Sequence, residues 1–431
     1  MMNLKGTAGK VLQMIAMSGC INLQAMRYMY EGKLEQRNRD TQTIRNQKMV
    51  ERTKYQRPST YYLTDLGKRY LLCDYATAPN TALYLIGNTQ ENGMETKDKT
   101  IQDRGRKVGE LLMRFYTLGY TPFFTEKPDY FGIEGEIVRR CRILIEEMMD
   151  NPKCSLRKID LKTEVTPDGN EIQLLSRMMY EGMKDSRKQK NLMEGGIDEE
   201  LRKKHEKQCF YTAREIKSGD MKNLGLYQSR MLGLLMTEMK AYMVYYPGDK
   251  GMRWYRQAES DMMMHIQRIL GEKKVYGGNG GMLDRQVLSN LFIVNNYETI
   301  VKILLMRVNT NLKWDSFDDL KSYFCTTQDI PLLINKKLRE SFSKKLIEAY
   351  QLEIQNRKPY YNGERCYIGT AFQVQAARAM ENDRVVFCLE SQKKIYEEHF
   401  GMKAVAVDDL YKEAKAEVMQ PQKRKRKECV Q

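Results

Sequence analysis

Two residues near the middle of the chain have the types and spacing that suit phosphodiester hydrolysis. Glu215 and Lys217 stand two positions apart in the run CFYTAREIK, of which residues 210–216 are predicted to form a strand. Alternate side chains of a strand point to one face, so the carboxylate and the ammonium group would lie side by side. A carboxylate that helps to hold Mg²⁺, beside a lysine that supports the attacking water, is half of a metal-dependent hydrolytic site. Glu215 and Lys217 are therefore the catalytic candidates.

This half-site resembles the centre of PD-(D/E)xK nucleases, which also need an upstream aspartate. Asp160 and Asp168 are available, but neither lies in a Pro-Asp hairpin, and E-x-K is a common tripeptide. A nuclease is thus an alternative, and Mg²⁺ is expected only under it. Elsewhere we predict no metal or cofactor site, because the three histidines are isolated and the glycine cluster at 277–281 lacks the Gly-Lys-Ser/Thr ending of a P-loop.

A second set of side chains suits DNA recognition. Residues 41–49 are predicted to form a helix, and a helix in the major groove reads base edges through exposed hydrogen-bonding side chains. The candidates here are Gln42, Thr43, Arg45, Asn46 and Lys48. A predicted hairpin follows, with basic residues at Arg52, Lys54 and Arg57 that would meet phosphates or the minor groove.

Residues 1–75 contain the elements that would position these side chains. Helices are predicted at 7–17, 22–30 and 41–49, with stops at Gly19 and Gly32 and N-caps at Asn22 and Asp40. The apolar period then changes from 3.6 to 2, which predicts strands at 50–53 and 60–63 around a turn, and a helix over 64–71 follows. This order is that of a winged helix-turn-helix. The alternative is a winged helix that contacts only protein.

The run YYLTDLGKRYLL at 61–72 resembles the phrase Y-x-L-T-x-x-G-x-x-x-L that ends the wing in many bacterial winged-helix regulators. Each of its key residues has a physical task. Leu63 would return to the core, Thr64 would cap the next helix, and Gly67 would permit close packing. The resemblance therefore supports a winged helix at the N-terminus.

The chain carries surplus positive charge, as a protein that neutralises phosphates must. Its 431 residues include 72 Lys and Arg against 56 Asp and Glu, a net charge of +16. Residues 1–75 hold 13 of the former and 6 of the latter, so nearly half of the surplus lies in about a sixth of the chain. The KRKRK run at 423–427 adds to it, and we interpret residues 416–431 as a basic disordered tail.

The rest of the chain is predicted to be mixed α/β. Residues 76–150 form a segment with strand-like runs at 82–87 and 120–125 and helices at 104–118 and 134–149, and residues 151–208 form a charged, partly flexible insertion. Residues 209–415 form a C-terminal α/β domain. In it we predict a hairpin of strands 231–236 and 240–246, helices at 259–270, 284–291, 297–308 and 336–354, and a strand at 384–389.

Composition and termini indicate the compartment. The nine cysteines show no C-x-x-C pair, so we expect reduced thiols. Lysines interrupt the apolar start, so it does not read as a signal peptide, and no apolar run approaches the roughly 18 residues of a membrane span. We expect a cytoplasmic protein with no membrane partner.

The central motifs carry a family resemblance. The succession AREIK at 213–217, SRMLGLL at 229–235, the strand 242–246 and Met252-Arg253-Trp254 is similar to one in plasmid and integrative-element proteins of Gram-positive bacteria. With the N-terminal winged helix, the layout resembles the replication-relaxation family. That resemblance implies a mobile genetic element and a restriction-endonuclease-like fold in the C-terminal half.

The sequence thus predicts an α+β protein with an N-terminal winged helix and a mixed α/β part. We expect it to bind double-stranded DNA, as a homodimer, in plasmid replication, mobilisation or transcriptional control. Enzymatic activity is not the favoured prediction, and a metal-dependent nuclease is the first alternative. A structural or interaction protein of a conjugation or phage apparatus is the second.

Overall fold

The computed structural model describes residues 6–30, 33–53, 59–73, 81–85, 99–137, 139, 208–218, 226–248, 254–276, 287–305, 322–356, 358–369, 371–373, 376–377 and 384–419. The fold is α+β, as predicted, with helices and several small sheets. The chain forms two compact units, one of Met1–Tyr246 with Tyr255–Leu288 and the other of Pro247–Trp254 with Ser289–Gln431.

The first helix agrees with its prediction. Helix α1 (Thr7–Ser18) buries its predicted apolar face, Val11, Leu12, Ile15 and Ala16. Gly19 ends it in the left-handed conformation, with φ of 80°, and its N–H donates to the Ile15 carbonyl at 2.8 Å. Glycine suits this position because it has no Cβ to clash there.

The next two helices have other bounds than predicted. The helix at 22–30 is wrong in extent, since Ile21–Asn22 form strand β1 and helix α2 covers only Met26–Met29. The Asn22 Oδ1 does accept from the Ala25 N–H, at 2.6 Å, and so caps the turn before α2. Helix α3 (Leu34–Asn46) begins well before Thr41, because residues 34–39 contain no helix breaker. Asp40 is not the N-cap, and its Oδ2 accepts from the Tyr30 hydroxyl at 2.8 Å.

The predicted hairpin and closing helix are confirmed. Strands β2 (Val50–Arg52) and β3 (Thr60–Leu63) pair antiparallel, and β1 pairs with the other edge of β3, which gives the order β1-β3-β2. Leu63 is buried, and helix α4 (Asp65–Cys73) follows. In the hairpin Val50, Tyr61 and Leu63 are buried, whereas Glu51 and Arg52 are exposed.

The next elements correct two strand predictions. Residues 81–85 form helix α5 (Thr81–Leu85), whose short apolar run has no period to separate a helix from a strand. Helix α6 (Lys99–Thr117) contains the predicted helix at 104–118. The predicted strand at 120–125 is only a single bridge from Thr121 to Cys209, then a 3₁₀ turn at Phe124–Glu126, since Pro122 has no N–H for a ladder.

Helix α6 packs against the N-terminal elements through two glycines. A Cβ at Gly109 would lie 2.7 Å from the Cys20 carbonyl oxygen and 2.6 Å from Ile21 Cγ1, and one at Gly105 would lie 3.0 Å from the Ser18 carbonyl oxygen. The helix backbone therefore rests directly on the turn between α1 and β1. Residues 133–137 are helical, where the predicted helix at 134–149 begins, and most of that helix lies outside the described residues.

Three antiparallel strands complete the first unit. They are β4 (Cys209–Thr212), β5 (Gly233–Met236) and β6 (Ala241–Tyr245), with β5 in the middle. The predicted hairpin of β5 and β6 is confirmed. Helix α7 (Ala213–Ser218) follows β4, and helix α8 (Arg256–Glu272) contains the predicted helix at 259–270. The predicted strand at 210–216 is therefore wrong beyond Thr212.

The second unit holds three groups of strands. Strands β7 (Leu288–Val294) and β8 (Ser322–Thr326) are parallel, and β13 (Phe372–Gln373) is antiparallel to β8. Strands β9 (Glu353–Gln355), β10 (Lys358–Tyr361) and β11 (Glu364–Arg365) form an antiparallel meander. Strands β12 (Tyr367–Ile368), β14 (Val385–Cys388) and β15 (Lys403–Ala406) are parallel.

Helices accompany these strands in the described ranges. They are α9 (Glu298–Leu305), α10 (Ile330–Ile334), α11 (Lys336–Tyr350), α12 (Glu390–Phe400) and α13 (Asp408–Met419). The core includes Phe342, Leu346 and Phe387. The predicted strand at 384–389 and helix at 297–308 are confirmed in their described parts.

One helix prediction in this part of the chain is wrong, and another extends four residues too far. The described part of 284–291 starts β7, whose seven residues are all buried, so no alternation marked it as a strand. The helix at 336–354 ends at Tyr350, where Gln351 turns left-handed with φ of 51°. The predicted insertion up to residue 207, the glycine cluster at 277–281, Asp160, Asp168 and residues 420–431 of the tail lie outside the described residues.

Candidate nucleic-acid interface

Helix α3 is attached to the molecule along one narrow side. Ile44 is its only buried residue, and the side chains of Leu34, Asn38 and Arg39 are exposed. The side chains predicted to read base edges are all exposed as well, namely Gln42, Thr43, Arg45, Asn46 and, just past the helix, Lys48. The helix thus presents a continuous polar face that takes no part in the core.

The C-terminal end of α3 is fixed to the hairpin by a small network. Thr64 Oγ1 donates to the Lys48 carbonyl oxygen at 2.6 Å and accepts from the Gly67 N–H at 3.1 Å, which confirms Thr64 as a helix cap. The Thr64 N–H donates to the Met49 carbonyl at 3.0 Å. A Cβ at Gly67 would collide with that same Met49 carbonyl, so this position needs glycine. The network holds the end of α3 in a set position beside β3 and α4.

Lys48 occupies a strained backbone position in this network. Its φ is 54°, in the left-handed region that favours glycine, and its side chain is exposed. A non-glycine residue there costs about 1 kcal/mol. The long cationic side chain is therefore kept at a place where glycine would be more stable.

The hairpin adds Arg52, on the strand that directly follows α3. Arg52 lies on β2 with an exposed side chain, and its Nη2 donates to Ser59 Oγ at 2.5 Å, across the base of the turn. The other two predicted wing cations, Lys54 and Arg57, are outside the described residues. The structure thus places six of the eight predicted DNA-contacting residues, all on one chain segment and all exposed.

The charge of this segment is positive. Residues 33–52 hold six cations, Lys33, Arg37, Arg39, Arg45, Lys48 and Arg52, against three carboxylates, Glu35, Asp40 and Glu51. Two of these carboxylates accept from tyrosine hydroxyls, Glu51 from Tyr62 and Asp40 from Tyr30, each at 2.8 Å. Burial and then the bond to Asp40 raise the pKa of Tyr30, so its hydroxyl stays a donor. Two of the three carboxylates therefore bind neutral donors, while the side chains of five of the six cations, all but Arg37, are exposed.

The structure separates the two catalytic candidates. Both lie on α7 rather than on a strand, and Glu215 completes a capping box with Thr212. Glu215 Oε2 accepts from the Thr212 N–H at 2.7 Å, and Thr212 Oγ1 accepts from the Glu215 N–H at 3.3 Å. Lys217 Nζ instead donates to the Ser229 carbonyl at 2.7 Å. The T-x-x-E spacing of Thr212 and Glu215 was the sequence signal for this role.

The partner of Glu215 is a lysine that the sequence analysis missed. Lys127 Nζ lies 2.9 and 3.0 Å from the two carboxylate oxygens of Glu215, and both side chains are completely buried. The same ammonium group donates to the carbonyls of Phe210 at 2.8 Å and Pro122 at 2.9 Å. It also lies 4.5 Å from the ring centroid of Tyr211. We name Lys127 and Glu215 the buried pair.

Other chemistry-bearing groups are dispersed. Among the described residues no three His, Cys, Asp or Glu side chains are grouped as metal ligands would be. Five cysteines in the described ranges, Cys20, Cys209, Cys325, Cys366 and Cys388, are buried and carry no disulfide. No helix in the described ranges has both the length and the apolar composition to cross a membrane.

Comparisons of the chain with protein-family models, with curated proteins and with solved structures gave no match.

Proposed function

We propose that this protein binds double-stranded DNA through residues 7–73, which act as a winged helix-turn-helix. The observation that carries the proposal is the exposed polar face of α3, which lies beside an exposed arginine of the hairpin. Helix α3 is the recognition helix of this proposal, and β2 and β3 are the strands of the wing. The order of elements, three helices with a hairpin and a closing helix, supports this assignment.

The side chains of α3 match the donors and acceptors of base edges. Arginine pairs with the O6 and N7 of guanine, and Asn and Gln pair with the N6 and N7 of adenine. Arg45, Asn46 and Gln42 are exposed at spacings that place all three along one side of the helix. We assign base reading to these residues, and phosphate contacts to Lys48 and Arg52.

The biological context of the proposal rests on the motif resemblance described above. We propose a role in replication, mobilisation or transcriptional control of a plasmid or integrative element, in the cytoplasm, with the protein acting as a homodimer on paired half-sites. The nuclease alternative receives no support from the described geometry. The carboxylate of Glu215 is bound by Lys127 and the Thr212 N–H, and Lys217 is bound elsewhere.

The test is fluorescence anisotropy of labelled duplex DNA with the full-length protein across a salt series. We expect Arg45→Ala to weaken binding by about 1–3 kcal/mol, or about 5–150-fold, since one base contact is lost. The matched control is Arg268→Ala, which removes an exposed arginine from α8. Equal affinities for the two variants would refute the proposed interface. Salt-independent binding would favour the apparatus alternative.

A second variant separates binding from folding. Lys48→Gly removes a cation and also relieves the left-handed strain at that position. We expect the free energy of unfolding to stay equal or rise by up to about 1 kcal/mol, while DNA affinity falls and the slope of log affinity against log salt drops by about 1. Unfolding in urea and the anisotropy series measure the two quantities. Unchanged DNA affinity would remove Lys48 from the interface.

A further inference from the structure

Four charged side chains from distant parts of the sequence meet in the first compact unit. Arg104 comes from α6, Lys217 from α7, Arg230 from the segment before β5, and Glu259 from α8. Arg104, Lys217 and Arg230 are partly buried, and Glu259 is buried. We name these four residues the cationic cluster, since among them three positive charges stand against one negative charge.

Two of the cations hold a short backbone segment. Lys217 Nζ donates to the Ser229 carbonyl at 2.7 Å, and Arg104 Nη2 donates to the carbonyls of Arg230 at 3.0 Å and Met231 at 3.1 Å. Three successive carbonyls thus accept from cations. A carbonyl dipole orients an ammonium or guanidinium group but does not cancel its charge.

The single carboxylate of the cluster is bound by neutral donors. Glu259 Oε2 accepts from Ser229 Oγ at 2.7 Å and from the Tyr245 hydroxyl at 2.9 Å, and Oε1 accepts from the Arg230 N–H at 2.5 Å. Burial raises the pKa of Glu259, against these hydrogen bonds. The carboxylate is therefore used to position the segment and the tyrosine rather than to pair with one guanidinium.

Arg230 has a donor with no acceptor. Its Nε is shielded from solvent and has no hydrogen-bond partner in the structure, and its guanidinium carbon lies 5.5 Å from the ring centroid of Tyr255. A buried N–H without an acceptor carries a desolvation penalty and is uncommon in native proteins. The Arg230 guanidinium is thus fixed in place while its hydrogen-bonding capacity is unfilled.

The three cations also disfavour one another. Burial, then the charge of Arg104, and further that of Arg230, lower the pKa of Lys217 to about 8. Burial and the charge of Arg230 lower the pKa of Arg104 to about 10. Groups held together against their own repulsion are more typical of a binding site than of a structural core.

We propose that Arg104, Lys217 and Arg230 bind a phosphate group. The two guanidinium groups can each present paired N–H donors to phosphate oxygens, and the ammonium supplies a compact charge. A phosphate monoester carries about −1.5 to −2 near pH 7 and would offset the positive charge of the three cations. This proposal does not depend on the proposed DNA interface, because its residues are different.

The test is thermal unfolding of the full-length protein with inorganic phosphate, at an ionic strength held constant with chloride. We expect phosphate to raise the midpoint temperature, Tm, of the wild-type protein. In Arg230→Gln we expect a higher Tm without phosphate, because repulsion is relieved, and no rise with phosphate. The matched control, Arg268→Gln, should respond to phosphate as the wild type does. If Arg230→Gln lowers Tm and still responds to phosphate, or if the wild type does not respond, the proposal is wrong.

A second measurement identifies the source of the phosphate. Binding of 5′-phosphorylated and 5′-hydroxyl oligonucleotides of one sequence is compared by isothermal titration calorimetry. Tighter binding of the phosphorylated form, lost in Arg230→Gln, assigns the site to a nucleic-acid end. Equal binding of the two forms, together with the Tm response to inorganic phosphate, assigns it to a small phosphorylated ligand.

Discussion

The buried pair and the cationic cluster are two charged centres in one compact unit, and they are built in opposite ways. In the buried pair one ammonium faces one carboxylate, and the lysine has four oxygen atoms within 3.0 Å. In the cationic cluster three cations lie near one carboxylate, which accepts from the Ser229 and Tyr245 hydroxyls and from the Arg230 N–H. Helix α7 supplies Glu215 to the first and Lys217 to the second. The same helix turn thus serves two different electrostatic purposes.

The difference shows how buried charge can be interpreted from geometry. A buried pair that is matched in charge and fully hydrogen-bonded has a structural role, because removing either partner leaves an uncompensated buried charge. A cluster of like charges with a buried donor that lacks an acceptor, the Nε of Arg230, is the arrangement from which we infer a phosphate site. The two residues first considered as one catalytic motif therefore belong to two separate centres.

The largest effect is expected from breaking the buried pair. Lys127→Met leaves the Glu215 carboxylate buried without its cation, and we expect the free energy of unfolding to fall by about 3–5 kcal/mol in urea titrations. The double variant Lys127→Met/Glu215→Gln removes both charges and should lose less than Lys127→Met alone. If the double variant loses as much as the sum of the two single variants, the two charges are not coupled and the contrast between the centres fails.

A middle-sized effect is expected in the helix that carries Arg104. Gly109→Ala would place a Cβ 2.7 Å from the Cys20 carbonyl, and we expect a loss of about 1–3 kcal/mol because the backbone must move. Gly135→Ala is the matched control, since a Cβ there meets nothing within 4 Å and alanine favours the helix by about 0.5–1 kcal/mol. Similar stabilities of the two variants in urea would show that α6 does not pack as described.

If Gly109→Ala also weakens both DNA binding and the phosphate response, α6 positions both regions. This outcome would follow from its contacts, because Arg106 on α6 donates to Thr60 Oγ1 at 3.1 Å while Arg104 reaches the segment before β5. If Gly109→Ala weakens only DNA binding or only the phosphate response, the substitution has displaced only the contacts of α6 with that one region.

Local sequence signals predicted the elements well where apolar and polar residues alternate, or where a side chain close in sequence caps a helix. The β2–β3 hairpin, the cap at Thr64 and the close packing at Gly67 each depend on residues within a few positions. Signals failed where burial removes alternation, as in β7, and where a short apolar run forms a helix, as in α5. These elements are decided by tertiary packing rather than by local preference.

The two charged centres could not be predicted from the sequence for a different reason. Lys127 lies 88 residues from Glu215, and Arg104 lies 126 residues from Arg230, so no local spacing joins them. Glu215 and Lys217 suggested one site because a strand was assumed, whereas on a helix residues two apart point to different sides. The T-x-x-E pattern was the only local sign of the true role of Glu215.

The smallest effect is a pH dependence that distinguishes the two centres. The pKa of Lys217 is lowered from 10.5 to about 8, first by burial and then by Arg104, with Arg230 adding to the fall and Glu259 opposing it. Between pH 8 and 10.5 the unfolded chain therefore binds more protons at this lysine than the folded chain does. Stability contributed through Lys217 consequently rises as pH increases across this window.

Urea unfolding of the wild type and of Lys217→Met at pH 7, 8, 9 and 10 measures this contribution, because other groups cancel in the difference. We expect the wild type to gain stability relative to the variant as pH rises, by less than the full linkage value since Lys217 keeps some solvent contact. Saturating phosphate should flatten the trend, because a bound anion stabilises the protonated lysine. A difference that stays constant with pH, with or without phosphate, would mean that the cluster is as well compensated as the buried pair.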